Sequence, residues 1–137
     1  MNRRAFLKLS ISTGALFLIG SYPVLIERNI VTINQYQIYL NDLPEPFDGY
    51  TIAHLTDLHL GTFVSESFIK GVVSKTNNLK TDIIACTGDY VQTKNTTTEI
   101  EKVWPILSKL TAKDGVYSVL GNHDHWADTQ RSLYWLE

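Results

Sequence analysis

Residues 116–126, VYSVLGNHDHW, run without interruption from a short strand-like segment into a glycine, an amide, two imidazoles and a carboxylate. Val116 to Leu120 has the apolar, β-branched and aromatic character of a half-buried strand. Two earlier segments end in a comparable way. Tyr50 to Leu55 runs into Thr56-Asp57-Leu58-His59, and Asp82 to Thr87 runs into Gly88-Asp89. Between the three lie two segments with helical spacing. In the first, Phe68, Ile69, Val72, Val73, Thr76 and Leu79 share one face behind Ser65 as a cap. In the second, Ile100, Val103, Trp104, Leu107 and Leu110 share a face, Thr98 and Glu101 are spaced as a capping box, and Pro105 is tolerable in an early turn or as a kink. Strand, helix, strand, helix, strand predicts an α/β body of βαβαβ type with a parallel sheet.

In an open parallel sheet, ligands gather at the carboxyl ends of the strands, and adjacent strands are less than about 5 Å apart. The polar endings Asp57-Leu58-His59, Gly88-Asp89 and Gly121-Asn122-His123-Asp124-His125 are therefore expected to meet. Converging carboxylates repel one another unless a cation lies among them, so a metal site is the economical reading. Asp57 and His59, two apart, would chelate one ion if strand geometry continues. Asp89 offers two oxygens to bridge a pair of ions, and Asn122 a carbonyl oxygen to the second. This mixture of oxygen and imidazole suits Mn, Fe or Zn better than Ca or Mg. Two ions about 3.5–4 Å apart polarise a phosphoryl group and convert a bridging water to hydroxide near neutral pH. His123 is then the expected proton donor to the leaving alkoxide, with Asp124 orienting it or raising its pKa. Gly88 and Gly121 allow the backbones to approach closely. His54 reads as a core or packing histidine, His125 and Trp126 as neighbours of the site, and Ala127 to Glu137 as the start of a further helix.

Composition excludes several alternatives. Twelve basic against fourteen acidic residues, with no basic patch interleaved with aromatics, argue against a nucleic-acid partner. The single cysteine, Cys86, permits neither an intrachain disulfide nor a thiolate zinc site, and reads as a core residue.

Residues 1–28 read differently from the body. Arg3, Arg4 and Lys8 precede a moderately apolar run, and no acidic residue occurs before Glu27. That is the layout of an export signal. Asn2-Arg3-Arg4-Ala5-Phe6-Leu7-Lys8 resembles the bacterial twin-arginine signal, which implies the twin-arginine export machinery as a partner and an exported, extracytoplasmic or membrane-associated location. The most apolar part, Ala15 to Ile26, is interrupted by Gly20, Ser21 and Pro23 and falls short of the ~20 apolar residues of a membrane span. A cleaved signal and an uncleaved membrane tether both remain open. Residues 29–49 are expected as a leading strand, Val31 to Leu40, followed by the loop NDLPEPFDGY; residues 50–137 form the α/β body.

The blocks Asp57-Leu58-His59, Gly88-Asp89 and Gly121-Asn122-His123-Asp124, each after a strand, resemble the signature of the calcineurin-like metallophosphoesterase superfamily. The flanks AHLTDLHLG and ACTGDYV resemble its bacterial exported or membrane-associated phosphodiesterases. The resemblance implies hydrolysis of phosphodiester or pyrophosphate bonds, in small-molecule or lipid-linked substrates, by a dinuclear divalent-metal centre. It assigns Asp57 and His59 to the first ion, Asp89 to the bridge, Asn122 to the second ion and His123 to leaving-group assistance. The family continues with a further histidine and a G-H-x-H block from the other half of a four-layer α/β/β/α sandwich. Neither follows His125 here, so the chain is expected to be the amino-terminal part of that fold, truncated before the second half and weakly active or inactive alone. A non-catalytic binding module is the alternative.

Overall fold

The structure, a computed structural model, describes residues 26–136 and, before them, residues 3, 13, 14, 16, 17 and 20–23. It has two compact units, Met1–Ile38 and Tyr39–Glu137. Most of the segment expected as an export signal or tether lies outside the described residues. No helix among those described is long and apolar enough to cross a membrane. In the first unit a 3-10 turn covers Glu27–Asn29.

The stretch from Val31 to Leu40 corrects the sequence-based expectation, because it has no strand assignment. Tyr36, Ile38 and Tyr39 are 85%, 77% and 83% exposed. Alternation provides a face to bury, but a strand also needs a neighbour's edge for its backbone groups and a layer to press against. Among the described residues no strand pairs with this segment.

The second unit carries β1 (Ile52–Leu55), α1 (Glu66–Leu79), β2 (Ile83–Cys86), α2 (Thr98–Leu107), β3 (Val116–Ser118) and α3 (Asn122–Leu136). The strands form a parallel sheet in the order β1-β2-β3, with Ile52 opposite Ile83 and Ile84 opposite Val116. Both crossovers step the same way along the sheet, so crossovers of one hand place both helices on one face. Burial agrees: Ala53, Ile84 and Cys86 are buried, whereas Ile52, Tyr117 and Val119, facing the other way, are 60%, 62% and 57% exposed. His54 belongs to this open face, so it is not a core histidine; its Nε2 meets the Thr87 hydroxyl at 2.8 Å.

The helices close the core. Ser65 caps α1 by accepting from the Phe68 amide, and Ile69, Val72, Val73 and Thr76 turn inward. α2 contributes Ile100, Val103, Trp104, Ile106 and Leu107, and Trp104 meets Tyr90 edge to face with centroids 5.0 Å apart. The expected Thr98–Glu101 capping box does not form. The N-cap is Thr97, without a side-chain cap bond, and Glu101 instead pairs with Arg131 of α3. A charged partner one helix away competes successfully for a carboxylate that would otherwise bond a neutral amide. Pro105 lies near the end of α2 rather than in an early turn, and it has no amide hydrogen to give to the carbonyl one turn back.

α3 was expected to begin after the polar signature and instead starts within it, at Asn122. It is two helical pieces joined at Asp128, whose backbone is extended (φ −167°, ψ 105°) and whose Oδ1 accepts from the Arg131 amide at 2.9 Å. Asp128 is thus the N-cap of the second piece. The first piece is fixed by Asp124, which is 1% exposed. Its carboxylate accepts from the amides of Gly121 (2.9 Å), Asp89 (2.8 Å), Tyr90 (2.9 Å) and Val91 (3.3 Å). One side chain therefore holds the end of β3 against the loop that follows β2.

Replacing Asp124 with Asn removes one accepting oxygen and turns a donor toward those amides. The expected cost is about 3 kcal/mol of unfolding free energy, from buried donors left unpaired, read from urea midpoints. The Glu101–Arg131 pair gives a pH-dependent expectation. The Arg131 hydrogen bond is the largest influence holding the Glu101 carboxyl below its ordinary value. Its stabilising effect is fully present above the unfolded-state value and is lost as pH falls through the folded one. The stability difference between the natural chain and Glu101→Gln, measured from pH 7 downward, is expected to be small and to vanish in that acidic window.

Candidate metal centre

Asp57, His59 and Asp89 all have left-handed backbones, with φ of 54°, 47° and 57°. Each such non-glycine residue costs on the order of 1 kcal/mol, and such residues persist where surrounding bonds impose them. Those bonds are present. Beyond the strands the two loops continue side by side, with Asp57 N donating to Gly88 O (3.1 Å), His59 N to Asp89 O (2.9 Å), Leu60 N to Tyr90 O (2.8 Å) and Gln92 N to Leu60 O (3.0 Å). Leu58, Leu60, Tyr90 and Val91 are buried. The apolar residues between the polar ones anchor the loops and leave the polar ones facing the strand ends.

The two glycines are needed for their size. A Cβ on Gly88, where φ is +97°, would lie 2.2 Å from Gly121 N, and one on Gly121 would lie 2.2 Å from Asp89 Oδ1. Backbone therefore packs on backbone between the second and third strand ends. Across that contact the His123 amide donates to Asp89 Oδ1 at 2.8 Å, so Asp89 satisfies an otherwise unpaired amide in the first turn of α3.

The side chains converge. Nε2 of His59 lies 3.5 Å from Asp57 Oδ1 and 4.0 Å from Asp89 Oδ2. His59, Asp89 and His123 each offer a ligand atom within 4.8 Å of one another. The rings of His59 and His123 meet edge to face with centroids 4.6 Å apart. Two carboxylates and two imidazoles in this space form a donor set that suits a borderline divalent ion. The Thr56 hydroxyl, bonded to Oδ2, is the largest influence holding the Asp57 carboxyl below its ordinary value; partial burial opposes it and His59 reinforces it. Nδ1 of His59 is buried without a hydrogen-bond partner, so the polar contacts of this ring are all on its Nε2 side.

The residues singled out from the sequence are distributed as follows. Asp57, His59, Asp89 and His123 come together, and Asn122 opens α3 at an exposed position beside them. Asp124, expected to orient the His123 ring, binds backbone amides. The group that meets His123 Nδ1 is the Gln92 carbonyl, at 3.0 Å. Sequence reasoning missed Gln92 because the group that acts is a main-chain carbonyl, for which side-chain identity is no signal. Trp126 packs on His123 with centroids 4.8 Å apart, and Lys94 Nζ lies 4.2 Å above the Trp126 ring. His125 meets the Thr129 hydroxyl at 3.1 Å on the exposed side of α3.

Comparison with known proteins gives the same picture. Residues 50–136 match the family model described as calcineurin-like phosphoesterase. The metallophosphoesterase YkuE of Bacillus subtilis is 33% identical over 130 residues, 91% of this chain and 46% of that protein. The UDP-2,3-diacylglucosamine pyrophosphatase LpxG of Chlamydia trachomatis is 32% identical over 133 residues, 89% of this chain and 39% of its own length. A transmembrane protein with metallophosphoesterase domain from Danio rerio is 30% identical over 90 residues, 66% of this chain and 20% of that protein. No solved structure matches. The chain spans less than half the length of these curated relatives. The family uses divalent metals, and the parallel three-stranded sheet with its helices agrees with one α/β half of the family fold. With its strand-end blocks assembled at one edge of that sheet, the chain belongs to the calcineurin-like phosphoesterase family.

Proposed function

We propose that this chain contributes the amino-terminal half of a metal-dependent phosphoester hydrolase acting on phosphodiester or pyrophosphate bonds through a dinuclear centre. The observation that carries the reading is the approach of His59, Asp89 and His123 ligand atoms to within 4.8 Å, with Asp57 against His59. Asp57 and His59 would hold one ion, Asp89 would bridge, and Asn122 would reach the second. The metals would supply a hydroxide nucleophile and polarise the phosphoryl group. His123 would pass a proton to the leaving oxygen. Asp124 would act on this chemistry by holding the peptide on which His123 stands. The LpxG relative is named for a pyrophosphatase acting on a diacylated nucleotide sugar. That name supports a small-molecule or lipid-linked phosphoester as the substrate class here.

The test is a direct titration of the chain with Mn, Fe or Zn, beside hydrolysis of bis(p-nitrophenyl) phosphate, which one half of the fold is expected to carry out slowly. Asp57→Asn and Asp89→Asn are expected to abolish both metal uptake and turnover. His123→Asn is expected to keep the fold and lower turnover by about a hundredfold, the usual contribution of a positioned proton donor. Metal-independent binding of the phosphodiester that survives Asp89→Asn would favour a binding module instead.

The reading also includes export by the twin-arginine route to an extracytoplasmic or membrane-associated location, supported by Arg3 and Arg4 ahead of an apolar run. Converting both to Lys keeps the charge and is expected to leave the protein in the cytoplasmic fraction of a bacterial host, as read by cell fractionation.

A further inference from the structure

His123 meets the main chain of a neighbouring loop through its Nδ1, 3.0 Å from the carbonyl oxygen of Gln92. A carbonyl has no hydrogen to give, so Nδ1 must be the donor and carries the hydrogen. In the neutral ring Nε2 is then the nitrogen with a free lone pair. This choice of tautomer depends on where the Gln92 carbonyl is held. Gln92 and Thr93 are exposed, in the loop between β2 and α2.

One side chain fixes that loop, sharing the Gln92 amide with the Leu60 carbonyl. Oε2 of Glu99, in the first turn of α2, accepts from the Gln92 amide at 3.0 Å and the Thr93 amide at 2.8 Å; Oε1 accepts from the Thr93 hydroxyl at 2.7 Å. The opposite side has no slack, since a Cβ on Gly61 would lie 2.7 Å from Gln92 Cβ and 3.2 Å from Glu99 Oε1. Further along, the Asn95 amide donates to the Trp126 carbonyl at 2.9 Å, and the Trp126 ring packs on His123. The loop is thus tied at both ends, by Glu99 at one and by α3 at the other.

We propose that Glu99 is a positioning residue for His123: by gripping the Gln92 and Thr93 amides it holds the Gln92 carbonyl where it keeps the hydrogen on Nδ1, leaving Nε2 for the reacting centre. The inference deepens the reading of His123 as a group of that centre and rests on it for its consequence in catalysis. The tautomer can be observed without metal or substrate, so the failure of one idea does not carry the other with it.

The experiment is nitrogen-15 NMR of the histidine rings in the metal-free chain, above the pH at which the rings titrate. His123 is identified by the signals lost in His123→Asn. The natural chain is expected to show the Nδ1–H tautomer predominating at His123. Glu99→Gln should preserve it, because the amide oxygen still accepts from both main-chain amides and its NH2 can donate to the Thr93 oxygen. Glu99→Ala should lose that predominance while circular dichroism shows the fold retained. Unchanged His123 signals in a folded Glu99→Ala protein would overturn the proposal. So would a Glu99→Gln protein as displaced as Glu99→Ala. If Glu99→Ala does not fold, Glu99→Asp carries the same comparison with the carboxylate withdrawn by one methylene. A shifted His123 ring there supports the proposal, and an unshifted one defeats it.

Discussion

The Asp124 carboxylate is the interaction on which the rest of this molecule depends. It is buried, and its four hydrogen bonds run to backbone amides on two chain segments about thirty residues apart. Amides of this kind are a burden wherever a chain leaves a strand or enters a helix, because water no longer reaches them and no ladder partner remains. A single anion at the start of α3 answers that need for three consecutive residues, Asp89 to Val91, and for Gly121 as well. Its place in the first helical turn is also favoured by the helix dipole. The second and third strand ends are therefore locked together whether or not a metal is bound.

Left-handed backbones at Asp57, His59 and Asp89 follow from this locking. A loop that left its strand freely would relax to ordinary torsions. Here the loops after β1 and β2 are hydrogen-bonded to each other as far as Gln92, with Leu58, Leu60, Tyr90 and Val91 buried. The strained residues are the three that alternate with buried ones, so their side chains cannot retreat into the core. Apolar anchoring thus does the work of presenting polar groups, which is why DLHL and GDYV are informative as whole segments rather than as isolated acids.

Much of this was legible in the sequence, for identifiable reasons. The three strands and two intervening helices announced themselves because periodicity and strand-end glycines are local properties, and the meeting of Asp57, His59, Asp89 and His123 followed from parallel topology alone. What sequence reading missed were choices among competing partners. Glu101 prefers Arg131 to a cap, Asp124 prefers backbone amides to an imidazole, and the Gln92 main chain does what a side chain was expected to do. The leading strand failed for a related reason: the alternation from Val31 to Leu40 is real, but a strand is defined by its neighbour, and periodicity contains no information about one. The start of α3 was misplaced because Asn122, His123 and Asp124 read as loop chemistry, yet Asp89 and Asp124 together supply the amide partners that let a helix begin there.

At the centre, the donors follow one pattern: a single atom is anchored and another is offered. Asp57 gives Oδ2 to the Thr56 hydroxyl and turns Oδ1 toward His59; Asp89 gives Oδ1 to the His123 amide and turns Oδ2 the same way. His123 gives Nδ1 to Gln92 and keeps Nε2. Anchoring one atom of a carboxylate or imidazole removes most of its rotational freedom while the remaining lone pairs stay uncommitted, so the ordering cost is met during folding rather than on ligand capture. His59 departs from the pattern, because its Nδ1 is buried without a partner and its Nε2 lies between the two acids. That ring is held by the carboxylates themselves and by the edge of His123. A divalent ion at Nε2 would give the ring a ligand bond in place of its contacts with the carboxylates, and it would relieve the repulsion between Asp57 and Asp89 that a neutral imidazole leaves standing. Of the four converging side chains, His59 therefore has the most to gain from an ion, and its two carboxylate neighbours are the ones best prepared to share it.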